Sequence, residues 1–210
     1  MGNRIFLVLT ICSVLATFIM AFGCASPAQQ YIDKGNEYYE QGQYDEAIAA
    51  FDKAIELEPK NAELYYNRGN VYLEEGRLQT AVADYDKAIT LDPKLAMAYN
   101  NRGLAYGGQM QFDTAIADFS KAIELDPTLA VAYDNRGLMY RNKLDYDTAI
   151  SDFNKAIELD PMLAKAYFNR GYAYNKKGDV EQARADLDKC IEISTDPSLT
   201  KAAKELRERL

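Results

Sequence analysis

The chain repeats itself every 34 residues. Gly35, Gly69, Gly103, Gly137 and Gly171 stand in register, and Pro59, Pro93, Pro127 and Pro161 close the first four units. A fixed period of this length excludes a globule with one closed core, because each unit can bury its apolar surface only against its neighbours and the chain has to stack. Within the unit from Ala96 to Leu129, Tyr99, Gly103 and Tyr106 fall at i, i+4 and i+7, and Ala115, Ile116, Phe119, Ala122 and Ile123 follow at helical spacing. Each half is therefore an amphipathic helix. Gly103 and Ala115 are small where the two helices must approach, while Tyr99, Tyr106 and Phe119 fill the space around them. Pro127 stops the second helix, since it has no N–H to donate and clashes with the preceding turn.

An aromatic, a glycine, a Tyr, then Ala, Phe and Pro at these offsets resemble the tetratricopeptide repeat. The resemblance spans five units, 28–61, 62–95, 96–129, 130–163 and 164–197, and implies an all-α fold, a right-handed α-solenoid of helix-turn-helix repeats. Two departures recur. Tyr31, Tyr65, Tyr99, Tyr133 and Tyr167 replace the family's usual Trp, and Lys34, Arg68, Arg102, Arg136 and Arg170 replace its Leu.

Each Arg is followed sixteen residues later by Asp84, Asp118, Asp152 or Asp186, whereas the first unit has Lys34 and Ala50 and so lacks both partners. This joint presence and absence predicts structural Arg–Asp pairs between adjacent helices, in the same repeat or the next. Gly42, Gly76 and Gly178 stand at the inter-helix turns, where a left-handed conformation suits glycine, but units three and four carry Met110 and Leu144 there. Unit three has Gly107-Gly108 slightly earlier, which reads either as a drifted turn or as bare positions leaving room for a ligand group. Cys190 replaces the Ala found at 54, 88, 122 and 156, as a small buried thiol would. After Asp196-Pro197, Leu199, Ala202, Ala203, Leu206 and Leu210 form one stripe, predicting a capping helix over 198–210 that covers the last repeat.

Ahead of the repeats, Arg4 precedes an apolar run from Ile5 to Phe22 and then Gly23-Cys24. This pattern predicts an export signal over residues 1–23. Ala21-Phe22-Gly23-Cys24 resembles a bacterial lipobox, which implies lipid attachment at Cys24, although Phe22 departs from the usual residue. Ordinary cleavage and an uncleaved anchor stay open, as the apolar run nearly spans a bilayer core. Ser26-Pro27-Ala28-Gln29 reads as a capping box, so residues 24–27 form almost no tether, about 10 Å of reach, and the first repeat is expected to lie against the membrane.

Composition narrows the chemistry. The chain contains no His and three Cys, so it lacks an imidazole base and the usual nitrogen ligands. No catalytic residue, metal site or cofactor is expected, and no small-molecule substrate. The net charge of −8 disfavours nucleic acid and anionic headgroups, leaving membrane attachment to the lipid or leader. The resemblance implies a groove lined by the first helix of each repeat that binds a protein or peptide partner. Its lining here would be Asn67, Asn101, Asn135 and Asn169, with Tyr66, Asn70, Asn100, Asp134, Phe168 and Tyr172 nearby. A column of amides can hydrogen-bond a peptide backbone without reading its side chains. The carboxylate clamp known in this family is excluded, because Ile32, Asn36, Asn67, Met97 and Asn101 supply no cation. Lipobox and repeats together resemble lipoproteins of cell-envelope assembly. A self-assembling structural protein and an accessory subunit of an enzyme complex are the alternatives.

Overall fold

The computed structural model describes residues 26–210; the leader and Cys24 lie outside the described residues. Among these residues there are helices and no strands, as the helical spacing within each unit predicts. The chain divides into two compact units, one ending at Lys60 and one spanning Asn61–Leu210.

In the described part of the first unit, α1 (Pro27–Glu40) and α2 (Tyr44–Leu57) form a single hairpin. Ser26 caps α1 by accepting from the Gln29 N–H at 3.0 Å, while the Gln29 side chain donates onward to Asp33 at 2.8 Å and does not complete the reciprocal half of the expected box. The Phe51 ring is buried against Gly35, where an added Cβ would come within 2.8 Å of it.

The second unit contains four hairpins and a final helix. The pairs are α3 (Ala62–Glu74) with α4 (Leu78–Leu91), α5 (Ala96–Gly108) with α6 (Phe112–Leu125), α7 (Ala130–Asn142) with α8 (Tyr146–Leu159), and α9 (Ala164–Lys177) with α10 (Val180–Ile193). Each second helix packs on the first helix of the next pair, and the first helices also touch one another in sequence, α3 to α5 to α7 to α9. The sixteen-residue offset brings Gly103 under Phe119 and Gly137 under Phe153, with Cβ-to-ring approaches of 2.8 and 2.7 Å. In the last pair Leu187 replaces the ring and Gly171 lies against Leu187 and the Ala183 carbonyl.

Between hairpins of the second unit the residue before Pro93, Pro127 and Pro161 is extended, Asp92 at φ −133 and ψ 95, as proline's Cδ demands. The same side chain then closes the loop, Asp92 accepting from the Lys94 N–H and Asp126 from that of Thr128, each at 2.9 Å. Finally α11 (Pro197–Glu208), capped by Asp196, lays Leu199, Ala203 and Leu206 over Leu187 and Cys190. The predicted capping helix is present, starting one residue earlier than its sequence pattern. Cys190 is free and fully buried, and burial pushes its thiol up to about 11.

All five inter-helix turns use one cap geometry, glycine or not. Gly42, Gly76 and Gly178 have φ of 71, 73 and 87, and Met110 and Leu144 adopt 62 and 65 at the equivalent places. The turn of unit three has therefore not drifted. Gly107 and Gly108 instead complete the last turn of α5, with Met139 Sδ 3.0 Å from a Cβ at the first and Leu78 Cδ1 2.9 Å from a Cβ at the second. A Cβ at either place would press on a neighbouring side chain, while Gly107 also borders an open cleft.

The Arg–Asp pairs form within each hairpin. Arg102 grips Asp118 through Nε at 2.8 Å and Nη2 at 2.7 Å, and Arg68–Asp84, Arg136–Asp152 and Arg170–Asp186 repeat this two-point contact. Hydrogen bonding to Asp118 raises the Arg102 pKa above its usual value. A second contact reaches the preceding hairpin, from Arg102 to Asp86, Arg136 to Ser120 and Arg170 to Asn154. The recurrent tyrosine covers the cation, with Arg102 5.4 Å from the Tyr99 ring centre and Arg170 5.6 Å from that of Tyr167. The two departures from the family pattern are thus one device, a charged rivet under an aromatic lid.

Candidate binding face

The asparagine column lies between consecutive first helices of the second unit. Asn101 on α5 donates to the Tyr66 hydroxyl at 3.2 Å and to Asn70 Oδ1 at 2.8 Å on α3, and Asn70 also accepts from the Tyr85 hydroxyl at 2.8 Å. Asn135 on α7 donates to Asn100 Oδ1 at 3.0 Å, while Asn169 on α9 donates to Asp134 Oδ1 at 2.9 Å. Each amide therefore reaches back thirty-five residues, to the side chain one place ahead of the previous asparagine. Asn100 closes the line by donating to Asn101 at 2.9 Å.

This arrangement changes what the column can do. Asn101, Asn135 and Asn169 adjoin Tyr66, Asn70, Asn100 and Asp134, and each donates an amide hydrogen to one or two of these neighbours. The column fixes the register of the helices, because a shift by one residue would leave buried and half-buried amides unpaired. Asn67 is half-buried on α3. Phe168 packs under the capping helix with Leu187 and Cys190, so much of its ring belongs to the core and not to an open wall.

Two of the clefts on the unit border this column or its neighbouring turns. One, with a volume of ≈ 490 Å³, is lined by Asn100, Asp134 and Asn135 together with Leu104, Val131 and Leu163. The other, of ≈ 500 Å³, is bordered by Gly107, Phe112, Arg141, Tyr146 and Tyr172 and by the exposed Met110 and Leu144. Arg141 stands 4.8 Å above the Tyr172 ring and donates to Asn169 Oδ1 at 2.8 Å. Spacing alone could not single out Arg141, since Leu73, Gly107 and Asn175 hold its place in the other repeats of the unit and no repeating signal exists.

Asp134 is the acidic member of its row, which otherwise reads Tyr66, Asn100 and Phe168. It is 6% exposed. Burial raises its carboxyl above the usual range, opposed by the Asn169 hydrogen bond and by the fields of Lys165 and Arg141. Among the described residues no group of three or more His, Cys, Asp or Glu is placed to hold a metal ion, and no helix is long and apolar enough to cross a membrane.

Models of the TPR repeat match residues 35–76, 69–109 and 137–178, and models of the tetratricopeptide repeat match 96–129 and 164–197. The chain belongs to the tetratricopeptide repeat family. No curated protein sequence matches it. Among solved structures it is similar to the MamA protein, at 31% identity and a TM-score of 0.67 over 79% of this chain and 90% of that one. MamA from Desulfovibrio magneticus RS-1 aligns at 25% identity and 0.71, covering 80% and 96%. YrrB, described as a TPR protein with an unusual peptide-binding site, aligns at 30% identity and 0.63, covering 83% and 90%. Its likeness to TTC0263 of Thermus thermophilus, at 21% identity and 0.73, over 87% and 100% of the two chains, shows the fold alone.

Proposed function

We propose that this tetratricopeptide protein is a non-catalytic scaffold that holds a segment of a partner protein along the first helices of residues 61–210, and that lipid on Cys24 tethers it to a membrane in the cell envelope. The observation that carries the binding half is the ≈ 490 Å³ cleft, where the amide groups of Asn100 and Asn135 and the Asp134 carboxyl stand beside Leu104, Val131 and Leu163. An apolar lining with a few convergent polar groups is the usual make-up of a binding site. Peptide binding by YrrB, a relative of similar length, supports the same reading. The hydrogen-bonded column beneath serves as a rigid floor, so that little ordering is left to be done when a segment docks.

For the tether, support comes from the sequence ahead of α1. Helix α1 starts at Pro27, three residues after Cys24, and such a linker reaches about 10 Å. A lipid there would hold the first hairpin at the bilayer surface. The mass of the mature N-terminus decides this half: a diacylglyceryl Cys24 is expected, and an unmodified chain that has lost the apolar run removes the tether.

The binding half is tested by photo-crosslinkers at Met97 and Val131, equivalent and partly exposed positions on α5 and α7. Both should capture the same protein in intact cells, and an exposed position on a second helix, Ser151, should not. Equal capture from Ser151, or none from the first two sites, refutes the assignment of this face.

A further inference from the structure

The row that contains Asp134 carries a charge that the architecture does not need. Tyr66, Asn100 and Asp134 each accept one hydrogen bond from the asparagine thirty-five residues on, at 3.2, 3.0 and 2.9 Å. Asn100 performs that task as a neutral amide, and at 3% exposure it is buried at least as deeply as Asp134. A carboxylate in the same position adds only a desolvated negative charge, which is unfavourable unless a cation meets it. No ion pair holds it among the described residues, since Lys165 and Arg141 act on it through their fields and Arg141 directs its own hydrogen bond to Asn169.

The surroundings add to this imbalance. Asp160 and Asp196 also line the ≈ 490 Å³ cleft, and Lys165 is the cation among its lining residues. Asp160 and Asp196 each use one oxygen to cap a backbone N–H, of Met162 at 2.9 Å and Ser198 at 2.8 Å. Leu104, Val131, Leu163 and Leu199 complete the walls. An apolar sleeve leading to a carboxylate suits a side chain with an alkyl stem and a cationic head.

We infer that this cleft is a subsite for a basic residue, a lysine or arginine of the bound segment, whose cation meets the Asp134 carboxylate. The inference rests on the reading of the first-helix face as the binding face, and adds to it the class of side chain that the face selects. Charge complementarity is the argument for this occupant: the subsite is acidic, and so is the chain as a whole, at −8. An acidic or wholly apolar segment would bring Asp134 no cation.

Selection of randomised twelve-residue peptides on the full-length chain in detergent, run in parallel on Asp134→Asn, tests it. Asn keeps the acceptor for Asn169 and removes the charge. The wild-type chain should enrich lysine or arginine at one position of the selected peptides, and individual winners should bind Asp134→Asn about tenfold more weakly, the scale of one partly desolvated charge pair. Lys165→Gln, which removes the competing resident cation, should strengthen the same enrichment. Peptides selected without a basic preference, or with one that Asp134→Asn leaves intact, overturn the subsite alone. Failure of either chain to select any peptide overturns the binding face itself and the subsite with it.

Discussion

Replacing Met110 and Leu144 by glycine should stabilise the protein, although both changes delete an apolar side chain. Each turn closes with the same two backbone bonds, Met110 N–H to the Gly107 carbonyl at 2.9 Å and Gln111 N–H to that of Tyr106 at 2.9 Å, matched by Leu144 to Arg141 at 2.9 Å and Asp145 to Tyr140 at 3.0 Å. These bonds require a left-handed residue at 110 and 144, observed at φ 62 and 65. A residue with a Cβ in that region is disfavoured by about 1–2 kcal/mol. Met110 is 75% exposed and Leu144 70%, so little burial is lost with the side chain. Glycine returns part of the gain through its freer unfolded chain, about 0.4–1 kcal/mol. The net is a stabilisation of about 0.5–1 kcal/mol per site, or about 2–4 °C for each 1 kcal/mol in a chain of this size. Urea unfolding followed by circular dichroism should show a higher midpoint at unchanged slope for Met110→Gly, Leu144→Gly and the double variant. Gly76→Ala, at φ 73, should move the midpoint down by a similar amount. A lower midpoint in either glycine variant would refute the reasoning, since it would mean that the exposed side chains contribute more than the backbone strain removes.

Further outcomes follow from the same contacts. In a double-mutant cycle, Arg102→Ala and Asp118→Ala should couple by about 1–3 kcal/mol in urea midpoints, because their side chains are only 18% and 10% exposed. Ala50→Asp, which puts a charge at a site 6% exposed, should cost about 3 kcal/mol alone, and adding Lys34→Arg should recover most of it by rebuilding the pair found in the other hairpins. Gly103→Ala should destabilise by about 1–3 kcal/mol despite the better helix former, since the new Cβ meets the rigid Phe119 ring at 2.8 Å; Gly107→Ala, opposed only by the flexible Met139 thioether, should be neutral or favourable by thermal melting. Burial raises the Asp134 carboxyl above its unfolded value, so the folded state binds the extra proton, and the stability lost to this group grows as pH rises from about 4 through the raised folded pKa. Asp134→Asn should therefore match the wild type in acid and exceed it at neutral pH, as measured by denaturant titration across that range.

What could be read in the sequence was whatever recurs. The glycine, proline and aromatic offsets predict every hairpin in the second unit, and the linked presence of Arg and Asp at a spacing of sixteen predicts their pairing, because one geometric relation is tested four times within a single chain. The second contact of each arginine was not legible, as its acceptor changes from Asp86 to Ser120 to Asn154 and only the oxygen is kept. Leu78 against Gly108 and Arg141 on Tyr172 occur once each and leave no periodic trace. The asparagine column was legible as a set of neighbours but not as a network, since spacing places a side chain and says nothing about where its amide hydrogens point. Donors expected to face a ligand are engaged between helices.

The consequence for recognition follows from this engagement. A face of free amides would bind any extended backbone, with weak discrimination among sequences. With the amides committed to one another, discrimination falls to the positions where neighbouring repeats differ, and a scaffold of near-identical units can acquire specificity only there. Asp134 against Asn100, and Arg141 against Gly107, are such differences, and each borders a cleft. On the proposed function, the repeats would fix the spacing of these points along the stack and the irregularities would supply the chemistry, so a bound segment would be selected by the departures from the period and not by the period itself.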